Sequence, residues 1–551
     1  MKVDKFLLIF VGLAVFILWQ GLLPGYILGL DMIFGPDMSV ITNTDGFTAS
    51  LPVIYLISFL SMIVPAWLVQ KAILLFLFFN IGYCAYKFLP VGENKEARLF
   101  SSLIYLANPF VYSRFLAGQW THLMAYSLLP FLMHSLIRLR DRVDMKSVGK
   151  MFLALFLISV FSIHFFVMAV IMTAGFAVYL LIQSLRKKEY SKSFKLLKNG
   201  FIASVVFLVV SSYWIVPAMT RSNPIEERID SVHWEAFAAG GYKEIPVMPN
   251  VASLNGFWGE RNPWAEYFLW PQDSPVFWAA FAVIIIFILI GTLSGLNKSK
   301  DRDVIVFFEI IAVASFIFAL GAAETNFKGF NIWMYENVPF WSGFRDSQKF
   351  SGLLALSYAF FAGIGFTRVY DLLKGNRGNL NIFLSFVFVI PVLSGYLMWA
   401  GFHGQTKAVS YPESWEQAKA VMEKDPSGKV LFLPWHGYFS LGFNNKLVTA
   451  NPARRFFGER VVTGRSVDLE SIRNQEKDEV YLEIDKLIMD QSMGSNEKVV
   501  SLRDKYGIGQ IMKINDLDGA DNLNYEFLDS QLLEKVYEGE GIILYDIRNS
   551  Q

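Results

Sequence analysis

Apolar runs about 20 residues long recur along most of this chain, and no other feature limits so strongly what it can fold into. Stretches such as FLLIFVGLAVFILWQGLLPGYIL (6–28) and FWAAFAVIIIFILIGTLSGL (277–296) have the length needed to cross a hydrocarbon core of about 30 Å. Eleven such runs are read, at 6–28, 68–89, 99–113, 123–139, 151–165, 166–184, 199–220, 276–296, 304–322, 351–370 and 380–402. Charged residues make up 18% of the chain, below the roughly 25% of a soluble domain. The sequence predicts a polytopic α-helical membrane protein.

The connections are of two kinds, and they alternate. One kind is basic: YKFLPVGENKEAR, RLRDRVDMK, RKKEYSKSFKLLK, NKSKDRD and LLKGNRGN. The other is longer, aromatic and of mixed charge. Lys and Arg gather in cytoplasmic loops, so the basic loops are placed inside, the amino terminus with them, and the aromatic loops outside. The run FTASLPVIYLISFLSMIVPAW (47–67) is apolar enough to span, but a span there would invert every later loop. It is therefore predicted to lie on the membrane surface or to re-enter shallowly. The runs 151–165 and 166–184 are predicted to form a tight hairpin with His164 at its turn.

The amino-terminal run exceeds the apolar length of a cleavable signal and reads as a retained first span. The single cysteine, Cys84, excludes a disulfide framework and thiolate metal sites. A net charge of +1 lacks the basic excess that nucleic-acid phosphates require, so no nucleic-acid partner is expected. From residue 403 the chain becomes charged and carries short β-type runs, GKVLFLPW, YGIGQIMKI and EGIILYDI, with a hairpin turn expected at EGEG. Two domains follow: 1–402, with outer loops that include 29–67 and 221–275, and a soluble extracytoplasmic α/β domain at 403–551.

Candidate site residues lie in the outer loops. Between Lys5 and Lys71 the only charged side chains are Asp31, Asp37 and Asp45. A carboxylate held at the lipid boundary suits general-base chemistry on a hydroxyl; a solvated loop with turn-forming aspartates is the alternative. Asp31 is the first candidate base and Asp37 the second, with Asp45 in a turn-like Asp-Gly. In NPFVYSRFLAGQWTH (108–122), Asn-Pro ends or kinks a span. Arg114 and His122 then emerge outside, where a guanidinium can grip a phosphate bidentately; snorkelling to headgroups is the alternative. In PFWSGFRDSQKF, Arg345 and Lys349 form a second cationic group, weighed against a local Arg345–Asp346 pair capping the helix. Trp258, Glu260 and Arg261, between Gly and Asn-Pro, are candidates for binding a sugar or acceptor, against a role in an interfacial aromatic belt.

Taken together, GLDM (29–32), NPFVYSRFLAG (108–118), FRDSQKF (344–350) and the closing KVYEGEGIILYDI resemble the GT-C superfamily of integral-membrane glycosyltransferases. The nearest likeness is to uncharacterised relatives of the arabinofuranosyltransferases. The resemblance implies inverting transfer of a sugar from a polyprenyl-phosphate donor to an extracytoplasmic glycan, lipid or protein acceptor in the cell envelope. Asp31 would be the general base, and Arg114, Arg345 and Lys349 would hold the donor phosphate. It admits a divalent cation, Mg or Mn, although no dense ligand cluster is visible and no metal ligand is assigned. A transporter or flippase of lipid-linked glycans, or a non-catalytic assembly scaffold, are the competing readings. Few ionisable residues lie inside the spans, which disfavours the first of these.

Overall fold

The structure, a computed structural model, describes residues 5–40, 49–220, 231–298, 301–465, 467–469, 472–474, 479–517 and 525–548. Among these, seven helices are long and apolar enough to cross a membrane: Ala66–Phe88, Ile163–Arg186, Tyr190–Val210, Pro275–Gly295, Arg302–Leu320, Ser347–Leu373 and Arg377–Ser394. Each falls on one of the predicted runs. The chain is a multi-pass membrane protein.

The other four predicted runs are helical but shorter, broken or more polar. Helix α1 (Lys5–Leu18) and a 3-10 turn end by Leu22, so the run 6–28 stops early. Pro24 lacks an N–H and Gly25 takes φ +111°, and the chain leaves the helix there. After α2 (Leu51–Ser61) and α3 (Ala66–Phe88), the run 99–113 divides into α4 (Lys95–Leu106) and α5 (Pro109–Leu116). The cause is Asn108, whose side chain accepts from Val111 N at 3.1 Å and donates to Tyr105 O at 2.8 Å. It thereby caps α5 while closing α4, with Pro109 suited to the first helical position. The run 123–139 is α6 (Trp120–Asp141), whose histidines, arginines and aspartate dilute its hydropathy.

Helix α7 (Met145–Phe161) and α8 (Ile163–Arg186) are joined by Ser162 alone, whose Oγ accepts from Phe165 N at 3.3 Å. The predicted hairpin is present, and His164 sits in the first turn of α8. Helix α2 is 11 residues, roughly 16 Å at 1.5 Å per residue and too short to span. Its Tyr55 and Phe59, with Met62 and Ile63 just beyond, are exposed, which matches a helix lying on an apolar surface.

Helix α9 (Tyr190–Val210) leads through α10 (Ser212–Thr220) to short helices α11 (Ser231–Ala236) and α12 (Val247–Ala252) in the large loop predicted to lie outside. The bundle resumes with α13 (Pro275–Lys298) and α14 (Arg302–Leu320), then α15 (Lys328–Asn337) and α16 (Ser351–Leu373). Helices α13 and α16 pack backbone to backbone. A Cβ at Gly291 would overlap the Phe361 carbonyl, and one at Gly365 would overlap that of Phe287. Small residues permit such approach between membrane helices, where burial from water supplies no driving force.

The carboxy-terminal part is α/β. Its main sheet has the order β4-β1-β7-β9-β8, built from β1 (Lys429–Leu433), β4 (Val461–Val462), β7 (Ile508–Ile514), β8 (Leu533–Gly539) and β9 (Ile542–Ile547). Pairs β1–β4 and β1–β7 are parallel, and β7–β9 and β8–β9 antiparallel. The predicted hairpin at EGEG is the β8–β9 turn, where Gly541 takes φ +71°. Alternation along β1 sends Phe432 to a core with Trp415 and Phe456, and Leu431 and Leu433 to another with Ile484 and Ile511. Two smaller ribbons pair β2 (Tyr438–Ser440) with β3 (Val448–Ala450), and β5 (Val467–Leu469) with β6 (Ile472–Asn474).

Replacing Gly365 by leucine drives a side chain into α13. We expect a loss of roughly 1–3 kcal/mol, as for overpacking generally, measured as a lower melting temperature of the detergent-purified protein; an unchanged melt would refute the close contact.

Candidate active site

The chain between α1 and α2 is laced to three other parts of the molecule. Tyr26 exchanges two backbone hydrogen bonds with Val409, at 2.7 and 2.8 Å. The side chain of Gln70, on α3, accepts from Ile27 N at 2.9 Å and donates to Ile27 O at 2.7 Å. Thr449 Oγ1 donates to Gly29 O at 3.0 Å, Ala450 N to Leu30 O at 2.9 Å, and Asp31 N to Ala117 O at 3.0 Å. The backbone at Asp31 is thereby fixed from both sides. Gly118, just past α5, makes this possible: it takes φ +77°, and a Cβ there would overlap Met32 N and lie 2.8 Å from Asp31 N.

The Asp31 carboxylate is clamped across the domain boundary. Tyr438, on β2, donates its hydroxyl to Oδ1 at 3.0 Å, and Gln119 donates Nε2 to Oδ2 at 3.1 Å. Asp31 is open to solvent yet surrounded by protein, as a group facing a cleft must be. Desolvation pushes its carboxyl above the usual range, opposed by the Gln119 and Tyr438 hydrogen bonds and by the charge of Lys349. The Asp31 charge in turn, with burial, holds the Tyr438 hydroxyl well above the ordinary phenol range.

Gln119 continues the network, accepting from Arg114 Nη1 at 2.8 Å. Arg114 is 0% exposed. Its fork meets Asp346 in a bidentate pair, with Nη2 to Oδ1 at 2.8 Å, and Nε and Nη2 reach Gln348 Oε1 at 3.0 and 2.6 Å. The ring of Phe257 covers it, 4.7 Å away. No guanidinium N–H is left for a ligand. Burial would raise the Asp346 carboxyl, but Arg114 and Lys349 outweigh it and hold it at about 2. Asp346 therefore pairs with Arg114 across 232 residues, and the alternative reading of a local pair with Arg345 is not met.

Arg345 is the available guanidinium. It is half-buried and stacks on Phe237 at 4.8 Å, and it makes no ion pair among the described residues. Burial lowers its pKa, against the Asp346 charge. Lys349 Nζ lies 3.6 Å from Asp346 Oδ2 and 3.3 Å from His164 Nε2, which is also 3.0 Å from Gly343 O. His122 is half-buried beside His164, ring centroids 5.4 Å apart, and its buried Nε2 has no hydrogen-bond partner among the described residues. Asp31, Arg114, His122 and Lys349 thus belong to one connected cluster, with Arg345 next to it.

Other predicted residues lie elsewhere. Asp37 accepts from Ser39 N at 2.9 Å, and its own N–H donates to Arg455 O at 2.9 Å; it fastens the loop to the outer domain. Asp45 lies outside the described residues. Trp258 is 4% exposed, packed among Phe237, Phe257 and Trp264, which leaves no indole face for a sugar ring. Glu260 accepts from Gly256 N, Phe257 N and Asn250 Nδ2 at 2.8, 3.1 and 2.8 Å, tying its loop together. Burial pushes its carboxyl up to about 7 despite these donors. Arg261 is exposed and donates to Ala238 O at 2.8 Å. The three brace the large outer loop, and through Phe237 and Phe257 that loop roofs the two arginines.

Among the described residues no three His, Cys, Asp or Glu side chains gather as metal ligands. The one carboxylate near Asp31 in the cluster, Asp346, is engaged by Arg114. This donor set does not fit a bound Mg or Mn.

No protein-family model matches the sequence, and no curated protein matches it. Solved structures do. The chain superposes along 100% of its length on the arabinofuranosyltransferase AftD from Mycobacteria, at TM-score 0.65 and 12% identity, and spans 40% of that protein. It also superposes along 92% of its length on the oligosaccharyltransferase AglB from Archaeoglobus fulgidus, solved with an inhibitory peptide and a dolichol-phosphate, at TM-score 0.50 and 11% identity, spanning 69% of that chain. The fold is GT-C-like. This agrees with the likeness read from the short motifs, and at such identities it concerns the fold alone.

Sequence reasoning missed Tyr438, Gln119 and Gln348 as partners in the site. In the sequence Arg114 reads as a cation free to hold a phosphate, and nothing local marks it as buried or singles out Gln348 and Tyr438, hundreds of positions from the residues they meet. Arg114→Lys keeps the charge and loses the fork. It should cost roughly 1–3 kcal/mol, the scale of leaving a buried acceptor such as Gln348 Oε1 unsatisfied, read as reduced yield and melting temperature; a variant as stable as the parent would contradict the assigned role.

Proposed function

We propose that the chain is a membrane glycosyltransferase moving a sugar from a polyprenyl-phosphate donor to an acceptor hydroxyl on the outer face, with inversion. The observation that carries this reading is the clamped, solvent-facing Asp31 carboxylate joined through Gln119 to the Arg114–Asp346–Lys349 cluster, with Arg345 unpaired beside it. The GT-C-like fold and the names of the two superposed proteins support it, as does the position of the outer domain against Asp31.

In this mechanism Asp31 accepts the proton of the acceptor hydroxyl while that oxygen attacks the anomeric carbon. The bond from that carbon to the phosphate oxygen breaks in line, and its electron pair leaves with the phosphate. Arg345 and Lys349 hold the donor phosphate and stabilise the charge as it leaves. Arg114 is a positioning residue: it orients Gln119 toward Asp31 and Asp346 toward Lys349. His122 lies against His164, which contacts Lys349. The acceptor is a glycan, lipid or protein on the side of the outer domain.

Two measurements test this with radiolabelled polyprenyl-phosphate pentoses and hexoses. Asp31→Asn should lower transfer by roughly 10²–10⁴-fold, the scale of a lost general base, and unchanged transfer would sink the assignment. The pH profile has a definite sign. Asp31 works deprotonated, so the rate falls as pH drops through its raised pKa. The Tyr438 hydroxyl stabilises the carboxylate, so in Tyr438→Phe the acid limb should move to higher pH, with the rate recovered above it. A limb that stays in place would show that Asp31 does not set it.

A further inference from the structure

The two helices that frame the Asp31 cluster carry a second charged site at their other ends. Helix α6 presents His122 beside Lys349 in its first turn and Arg138 and Arg140 in its last. Helix α16 starts two residues after Lys349 and carries Arg368 toward its far end. From His122 to Arg138 is roughly 24 Å along the axis at 1.5 Å per residue. At that far end lies a cavity of about 540 Å³.

Its rim is basic. Lys87 comes from the last turn of α3, Arg98 from α4, Arg138 and Arg140 from α6, and Arg368 from α16. The acids on the rim do not neutralise all of these. Arg140 is held by Asp301 at 2.7 Å and by the neighbouring Asp303 at 3.1 Å. Arg98 meets Glu93 at 3.3 Å and donates Nε to Gly92 O at 2.7 Å. Asp371 pairs outside the rim, with Lys374 at 2.9 Å. Lys87, Arg138 and Arg368 are exposed and make no ion pair among the described residues.

Below the rim the walls are apolar: Leu89, Val91, Ile305 and Phe360 are buried there. Three unpaired cations from three helices over an apolar throat fit an amphiphile whose polar end carries a phosphate. We propose that this cavity binds the phosphate headgroup of an anionic lipid, with part of its acyl chain in the throat. The basic loops predicted to lie in the cytoplasm close around this same end, so the lipid belongs to the inner leaflet. There Lys and Arg near the surface strengthen the binding of anionic lipid.

The test uses the full chain purified in detergent and native mass spectrometry of retained lipid. Dioleoyl phosphatidic acid and phosphatidylglycerol are compared with phosphatidylcholine of the same chains. The parent should retain the anionic lipids, and Arg138→Glu/Arg368→Glu should weaken that retention by roughly tenfold or more, while Arg138→Lys/Arg368→Lys keeps it. Lys195→Glu/Lys198→Glu, exposed on the same basic face but outside the cavity, is the control and should behave as the parent. Millimolar inorganic phosphate is added as competitor: failure to displace supports a lipid headgroup, and displacement assigns the phosphate site to a soluble ligand and overturns the lipid. Equal retention in the cavity variant, or equal loss in the control, overturns the site itself.

Discussion

The buried guanidinium of Arg114 is what the Asp31 end of the bundle is arranged around. A charge taken out of water costs several kcal/mol unless partners replace its hydration. Here the replacement comes from three segments at once: Asp346 and Gln348 before α16, Gln119 between α5 and α6, and Phe257 from the large outer loop. Satisfying one side chain therefore requires α5, α6, the start of α16 and the outer loop to meet in one geometry. The position of Asp31 follows from it, because the same Gln119 that accepts from Arg114 donates to Asp31.

Much of the architecture was legible in the sequence because membrane helices must satisfy their own backbones. Seven of the predicted runs needed no tertiary information, and loop charge alone argues against a span at 47–67, where the helix is 11 residues long. The departures have local causes: Pro24 and Gly25 shorten the first run, and Asn108-Pro109 splits the third. Asp31, Arg114, His122 and Lys349 stand out in the sequence as polar residues where span ends should be apolar, and the structure joins them in one cluster. What each side chain does there was not legible. Arg114 looked like a free cation because Asp346 lies 232 residues away, and no periodicity or spacing encodes a contact of that range.

The aromatic residues of the large outer loop show the same limit from another side. Trp258 sits in a polar-looking motif, GFWGERNPW, that suggests a binding surface. In three dimensions Glu260 draws Gly256, Phe257 and Asn250 around itself, and the turn so formed buries the indole. Composition marked the loop as aromatic and outward; whether its rings face a ligand or each other depends on that turn.

The clamp between Tyr438 and Asp31 gives the cluster a history as well as a shape. Its members are made in the order Asp31, Arg114, Asp346, Tyr438, and the first and last are 407 residues apart. At a synthesis rate of roughly 5–20 residues per second, the 232 residues from Arg114 to Asp346 take roughly 10 to 50 s. For that interval Arg114 lacks its counter-ion and has beside it only Gln119, the Phe110 ring and, once made, the Phe257 ring. The cluster closes when the acid arrives, and the Asp31 carboxylate gains its second donor only after the outer domain has begun to emerge. A nascent or truncated chain therefore carries the aspartate with its Gln119 donor alone, and the clamp closes last.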